Sequence, residues 1–413
     1  MKHLAIHDFG PIKSADIDFK QINLIIGPQS AGKSCILKIA SFCAWLEKRI
    51  EIEQSEKRFK DGGTFLNMLV SFHKLQGFEK PDTCIAYETD YMNFSYSHAE
   101  RNFSFRWKEE RWAFKRNKIA YIPAERNLVA AIPNWYEVKF EDNNIREFMA
   151  DWENARKYFA EKGVKVLDLG VSYYYDSPSK GDKVQVAKNV TLNLTNASSG
   201  LQSLIPLFIQ LQYLTKNIDK EDSAESVVDQ SENKALLMHI HQELFAKNIA
   251  DDFDTAYIGG KLLHFANFVD AEDCKRIYSN FTKAQYSDIF LEEPEENLFP
   301  LTQFSLVNWL AELVNGPRKH NLFIATHSPY IMTSFNNLIQ AGDVLQEIPS
   351  QQEKVYEIVS KQKILYYENV SAYALKDGCA HSIMDDEMKL ISPEELDSAS
   401  DEISTQFGKL LDL

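Results

Sequence analysis

Cysteine is scarce and scattered in this chain. The five residues at 35, 43, 84, 274 and 379 form no CxxC pair and no Cys/His cluster at zinc spacing. That excludes a zinc site of the usual wording and leads us to expect reduced thiols in a cytoplasmic protein. Long apolar runs are missing too, since no stretch reaches the ~18 residues needed to cross a bilayer. The opening Met1-Lys2-His3-Leu4-Ala5-Ile6-His7-Asp8 turns polar too soon for a signal peptide. We therefore expect a soluble chain with no membrane partner. Positive charge is in deficit, 45 Lys and Arg against 60 Asp and Glu for a net charge of −15, which excludes a surface that coats nucleic acid and leaves room only for a local basic patch. Neither an internal repeat nor a sustained heptad pattern is present, so a solenoid and a long coiled coil are excluded as well.

What is present is an ordinary folded composition, 44% hydrophobic and 25% charged, long enough for a large core and a smaller lobe. Two strands joined by a turn are predicted, His3–Ile6, then Phe9-Gly10-Pro11-Ile12, then Ala15–Phe19, followed by a third, continuously apolar strand at Ile22–Ile26, the pattern of a strand covered on both faces. From Gly32 onward Ile36, Leu37, Ile39, Ala40, Cys43 and Ala44 fall at helical spacing. Phe94 and Tyr96, then Phe103, Phe105 and Trp107, alternate on either side of a polar turn and predict a hairpin lobe. Residues 143–162 read as helix and the acidic stretch 216–234 as a flexible insertion between two halves of the fold. Strand and helix then alternate through 288–291, 300–315 and 321–325, which implies a mostly parallel α/β sheet.

Between the apolar strand and the amphipathic helix stands Gly27-Pro28-Gln29-Ser30-Ala31-Gly32-Lys33-Ser34, a match to GxxxxGK[ST]. Its glycines let backbone N–H groups curl around phosphate oxygens, Lys33 supplies a charge to the β and γ phosphates, and Ser34 offers a hydroxyl to magnesium. Average composition makes a chance match on the order of one per cent. Ile289-Phe290-Leu291-Glu292-Glu293-Pro294 is an apolar strand ending in two carboxylates, one placed to hold magnesium and the next to orient or deprotonate a water. Further on, Leu322-Phe323-Ile324-Ala325 ends in Thr326-His327-Ser328, where a histidine can touch both a γ-phosphate and the neighbouring carboxylate.

Taken in order, Phe9-Gly10-Pro11-Ile12, Gly27 to Ser34, Ala197-Ser198-Ser199-Gly200-Leu201-Gln202, Leu291-Glu292-Glu293-Pro294-Glu295-Glu296-Asn297-Leu298 and Ala325-Thr326-His327-Ser328-Pro329 resemble the motifs of ABC-type ATPases of the SMC, RecF and OLD group. The resemblance spans residues 1 to about 340 and implies an α/β, ABC-type P-loop ATPase with an antiparallel β lobe and a helical signature lobe. It further implies ATP and Mg2+ as ligands, with Gly27, Pro28, Gln29, Ser30, Ala31, Gly32, Lys33 and Ser34 around the phosphates, and Ser34 and Glu292 on the metal. Glu293 then stands as catalytic base, His327 as switch histidine, and Asn297 in a loop crossing a dimer interface. Ser198 and Gly200 take the place of the signature that faces ATP held by a partner copy, although the wording departs from the common LSGGQ. On this resemblance the chain divides into 1–45 and 251–340 as the two parts of the ATPase core, 46–142 as a hairpin and helical lobe, 143–250 as a helical lobe with the signature, and 341–413 as a strand and helix extension.

Three segments keep two readings each. Tyr121-Ile122-Pro123-Ala124-Glu125-Arg126 resembles the IPAER motif of the same group, or is a strand-to-loop turn with a surface ion pair. Seven basic residues from Arg101 to Lys118, interleaved with Phe103, Phe105, Trp107, Trp112 and Phe114, fit either a nucleic-acid strand or the two faces of a hairpin. Near the end, Pro393, Glu394 and Glu395 suit a helix start, and Ile403, Phe407, Leu410 and Leu411 form an apolar stripe that either packs on its own domain or docks another subunit or an effector.

The stretch beyond Pro329 is too short for the Toprim nuclease of OLD proteins, and the interval from Ser34 to Ser198 too short for SMC coiled coils. What the resemblance then implies is a compact ATPase like those of the Septu and PARIS anti-phage systems. Such a protein forms a homodimer or higher homo-oligomer through an ATP sandwich and acts as sensor or scaffold for a separately encoded nuclease or toxin. The alternative is a RecF-like repair ATPase that binds DNA directly.

Overall fold

The computed structural model describes residues 2–61, 63–137, 139, 141–160, 163–217, 227–246, 254–392 and 398–411, with backbone alone at 227–230 and 398–403. Part of the acidic insertion (218–226) and the helix start at Pro393, Glu394 and Glu395 lie outside the described residues. All five cysteines are unpaired thiols. Among the described residues no helix is long and apolar enough to cross a membrane.

The strands are β1 (Lys2–Phe9), β2 (Ile12–Phe19), β3 (Ile22–Ile26), β4 (Glu79–Glu88), β5 (Met92–Ser97), β6 (Asn102–Trp107), β7 (Asn117–Ile122), β8 (Val164–Lys165), β9 (Ser172–Asp176), β10 (Gly181–Ala187), β11 (Val190–Asn193), β12 (Asp254–Ile258), β13 (Lys261–Phe265), β14 (Tyr286–Glu292), β15 (Asn321–Thr326), β16 (Val370–Lys376) and β17 (Cys379–Ser382). Eleven of them make one sheet in the order β6-β5-β4-β1-β2-β17-β16-β3-β15-β14-β7. Its half from β16 to β7 is parallel, with Ile22–Ile26 held between Leu322–Thr326 and Val370–Ala374. The hairpin β5–β6 adds to β4 and β1 as the antiparallel half of the same sheet.

Alternation explains why the central strands carry apolar residues on both faces, with Asn23 and Asp288 as buried polar exceptions. Ile22, Leu24 and Ile26 enter one core together with Ile289, Leu291, Leu322 and Ile324, under the helices Ser199–Lys216, Pro300–Val314 and Pro329–Glu347. Ile25, Phe290, Phe323 and Ala325 enter the other, under the helix Lys33–Glu53. Each buried Leu, Ile or Phe stabilises by about 2 kcal/mol, and a slip of one residue would exchange the two faces, so the register is firmly set.

Two regions differ from the sequence reading. The segment read as a helical lobe does contain the helices Asn144–Tyr158 and Ser199–Lys216, but between them β11-β10-β9-β8 form a separate four-stranded antiparallel sheet on which Tyr173 and Val184 bury their side chains. The segment read as an extension contributes β16 to the sheet, directly beside β3. Small residues account for the miss, because Ser371, Ala372 and Ala374 give β16 little apolar contrast. Farther on, the helix Ser398–Leu411 exposes Phe407 (61%), Leu410 (66%) and Leu411 (72%), so the described part of its stripe is not packed on its own domain.

A buried ion pair fastens the first strand to the strand that ends in the two glutamates. Lys2 Nζ donates to Asp288 Oδ2 at 2.7 Å, and Asn117 and Asn321 donate to the same fully buried carboxylate at 2.6 and 2.7 Å. Lys2→Met would leave Asp288 buried with its charge uncompensated. The substitution should lower the unfolding free energy by on the order of 3 kcal/mol. A urea midpoint shift at constant slope measures this, and an unchanged midpoint would show that the two asparagines suffice.

Candidate functional site

Parallel β3, β14, β15 and β7 release their chains at one edge of the sheet, and four loops meet there: Gly27–Gly32, Glu293–Leu298, His327–Ser328 and Pro123–Asn127. In the first, Ser30 (φ 62°) and Gly32 (φ 108°) take the left-handed conformation, and the helix begins at Lys33. A Cβ on Gly32 would meet Pro11 Cγ and Ile12 Cγ1 at 3.0 Å. The Phe9–Ile12 turn is therefore the floor of the loop, which explains its place among the motifs. Lys33 folds back over this loop, donating to Gly27 O and Pro28 O at 2.8 Å each and to His327 Nδ1 at 3.2 Å. Burial holds its ammonium below the usual lysine range, against the opposite pull of Glu293 and Glu295.

The two carboxylates ending β14 are separated by backbone geometry. Glu292 is 5% exposed and accepts hydrogen bonds from the Tyr121 and Ser34 hydroxyls. Burial pushes its pKa up, opposed by Lys38 and by the Tyr121 and Ser34 bonds. Glu293 adopts φ 43°, a left-handed conformation costly for a residue with a Cβ, with its N–H tied to Ala325 O at 2.8 Å. Its carboxylate stays open to solvent and lies 3.3 Å from His327 Nε2. Thus Ser34 and Glu292 are together on one side, and Lys33, His327 and Glu293 form a chain on the other.

The histidine's protonation follows from its neighbours. Facing the Lys33 ammonium, which offers only donors, Nδ1 accepts; a neutral ring then carries its proton on Nε2, the nitrogen 3.3 Å from Glu293 Oε1. Its backbone N–H donates to Glu295 Oε1 at 2.6 Å, so Glu295 fixes where the ring can stand. In the sequence Glu295 is one of several acidic residues in the run Leu291–Leu298, and no local spacing singles it out.

Oxygen donors at Ser34 and Glu292 fit a magnesium ion. Among the described residues no group of three or more His, Cys, Asp or Glu side chains could hold a metal alone, so an ion here would complete its shell with water and nucleotide oxygens.

Ser198 and Gly200 are not brought to the loop of their own chain. Ser198 is the exposed cap of the helix Ser199–Lys216, and Gly200 lies against the next loop, where an added Cβ would meet Asn297 O at 2.9 Å. Gln202 turns inward and donates to Leu194 O and Thr195 O at 3.2 and 3.0 Å. The Tyr121–Arg126 segment is no surface turn: Tyr121 is buried against Glu292 and Arg126 is fully buried. Of the seven basic residues in the run, four are engaged within the chain, whereas Arg101, Arg106 and Lys115 stand exposed. Lys108 pairs with Glu88 at 2.5 Å, Lys118 with Asp151 at 3.5 Å, Arg116 donates to Thr282 O at 2.6 Å, and Arg111 lies 3.9 Å above the Trp107 ring and 4.5 Å from Trp112. A cleft of about 740 Å³ lined by Lys216, Trp309, Arg318 and His320 shares no residue with the site.

No family model matches the chain, and no curated protein matches it. Among solved structures it is similar to an SMC head bound to the C-terminal winged-helix domain of ScpA, at 10% identity over 94% of this chain and 99% of that one, with a TM-score of 0.38. It is likewise similar to the SMC head domain from Thermotoga maritima, at 8% identity over 92% and 97% with a TM-score of 0.37. A third is RecF of the RecFOR pathway, at 9% identity over 92% and 97% with a TM-score of 0.30. These are loose superpositions. The chain's own strand order and motif placement make the fold α/β, of the ABC-type P-loop kind, with an antiparallel β half and a signature helix.

Because the Tyr121 hydroxyl stabilises the ionised form of Glu292, Tyr121→Phe should raise the pKa of that carboxyl further. Any magnesium affinity that needs the carboxylate then fades at a higher pH than in the wild type. Fluorescent-nucleotide binding titrated with magnesium between pH 5 and 8 would reveal the shift, and coincident acid limbs would refute it.

Proposed function

We propose that this chain binds and hydrolyses ATP, and that two copies close over two nucleotides, each held by the loop of one copy and the signature of the other. The observation that carries this is the Lys33–His327–Glu293 chain lying beside the Ser34–Glu292 pair at one sheet edge. A γ-phosphate would replace the Gly27 and Pro28 carbonyls as the partner of Lys33, using the lysine as a point charge. Magnesium, held by Ser34 and Glu292, would neutralise phosphate charge. Glu293 orients a water and takes its proton as the water oxygen bonds to the γ-phosphorus and the bond from that phosphorus to the bridging oxygen of ADP breaks. His327 stands beside Glu293 with Nε2 and touches Lys33 through Nδ1, so a single ring links base and phosphate clamp.

Support for a second copy comes from the surface beside the site. Ser328 Oγ donates to Gln303 Oε1 at 2.5 Å and holds two helix starts together, and around them Phe299 (69%), Leu301 (70%) and Tyr330 (54%) stand exposed. Isolated apolar residues are unremarkable, but this group flanks both Asn297 and His327, where a partner would cover it. We propose in addition that the ATPase controls a separately encoded effector, docked on the uncovered Phe407, Leu410 and Leu411 face of the last helix.

Lys33→Ala should weaken nucleotide binding by about 100-fold, whereas Glu293→Gln should keep binding, lower turnover by about 10²–10⁴-fold and trap an ATP-bound dimer. Equilibrium binding, phosphate release and light scattering distinguish the two, and ordinary turnover in Glu293→Gln would remove it from the catalytic role. Ser198→Arg should be inactive alone yet recover about one site per mixed dimer with Lys33→Ala, since both defects then fall in the same composite site and leave the other intact; no recovery at any mixing ratio would refute composite sites. Truncation after Ser392 should leave nucleotide binding intact and lose effector in pull-down with the product of the neighbouring reading frame. A lost thermal transition would assign the helix to the core instead.

A further inference from the structure

One side chain ties the end of β14 to the helix that presents the signature motif. Arg126 is fully buried, and its guanidinium donates from Nε to Ser203 O at 3.1 Å, from Nη1 to Glu292 O at 2.8 Å and Pro123 O at 3.4 Å, and from Nη2 to Glu293 O at 2.7 Å. Its charge is met by Glu296 at 3.6 Å. Every hydrogen-bonding partner is a main-chain carbonyl, so the rigid fork holds backbone against backbone, which a flexible ammonium cannot do at several points. The carbonyls belong to the end of β14, which carries the catalytic pair, and to the first turns of the helix Ser199–Lys216, which presents the signature. A second tie runs parallel, from Asn297 Nδ2 to Ser203 Oγ at 2.9 Å, and Gly200 lies close enough to Asn297 O that a Cβ would reach 2.9 Å from it.

In a sandwich the two ends of this connection serve different nucleotides. Glu292 and Glu293 act on the ATP of their own chain, while Ser198 and Gly200 face the ATP of the other. We infer that Arg126, with Asn297 as a second tie, is a positioning residue that couples the two composite ATP sites, so that filling one aligns the signature or the catalytic pair at the other. This rests on the sandwich reading above. Because the connection is made of hydrogen bonds to two elements and not of contact with nucleotide, its removal alters cooperativity before affinity.

The test is the ATP dependence of turnover in the full-length protein. Wild type should be sigmoidal, with a Hill coefficient approaching about 2, the number of coupled sites. Arg126→Lys keeps the charge but not the fork and should fall to about 1, while fluorescent-nucleotide binding to the single chain, measured in the Ser198→Arg background, stays unchanged. Ser203→Ala deletes only the hydroxyl that accepts from Asn297 and should lower the Hill coefficient partway. A wild-type coefficient in Arg126→Lys overturns the inference. If that variant loses its thermal transition, Ser203→Ala decides: a reduced coefficient supports coupling and an unchanged one overturns it. A hyperbolic wild type that still forms an ATP-dependent dimer overturns coupling and leaves the sandwich standing. Failure of Glu293→Gln to dimerise with ATP overturns both.

Discussion

Burial of both faces of the parallel strands is the constraint on which the rest of the molecule depends. With Leu24 and Ile25, Phe290 and Leu291, and Phe323 and Ile324 directed into opposite cores, none of these strands can slip without exposing large side chains. The loop after Ile26, the glutamates after Leu291 and the histidine after Thr326 are thereby held at fixed heights along one edge. A strand slipped by one residue would move its loop by about 3.3 Å, more than the tolerance of any hydrogen bond in the site. Position is set by apolar burial, and chemistry is added at the ends.

At those ends the polar groups satisfy one another in a way that favours replacement by a ligand. Lys33 is bonded to two carbonyls of its own loop and to a histidine, none of which neutralises it. A phosphate would offer full counter-charge in the same place, so the exchange gains an ion pair in return for two bonds to neutral carbonyls. Glu292 is in the complementary situation: two hydroxyls donate to it, yet burial still disfavours its charge. A cation there would relieve that penalty. Lysine and glutamate are thus both incompletely compensated, with opposite sign and on opposite sides of one loop.

The parts legible in the sequence were those whose spacing is dictated locally. Gly27 to Ser34 must lie between a strand and a helix, Glu292 and Glu293 must end a strand, and His327 must end another; each could be found from a few consecutive residues. The fold class and the parallel core followed from continuous apolar runs. What stayed hidden depends on contacts distant in the chain. Glu295 acquires a role only because β15 lies next to β14, and Tyr121 because β7 flanks it on the other side. Strand β16, with its small residues, gave no periodic signal although it lies beside β3. The four strands of residues 164–193 were read as part of a helical region because helices flank them.

Arg126 illustrates the difference between composition and role most sharply. A lone arginine after a strand suggests a solvated charge, and nearby runs of Arg and Lys suggest a surface for anions. Yet Arg126 is enclosed, Arg111 stacks between tryptophans, and Arg116 serves a carbonyl. In an acidic chain these cations are used as internal connectors: a guanidinium can satisfy several backbone acceptors at once, which neither a lysine nor an apolar side chain does. Carbonyls at strand ends are among the groups that secondary structure leaves without partners, and a helix carbonyl such as Ser203 O keeps a second lone pair for a further donor. A buried arginine is therefore found where regular elements stop and must still be joined, and in a P-loop fold that is also where the chemistry is.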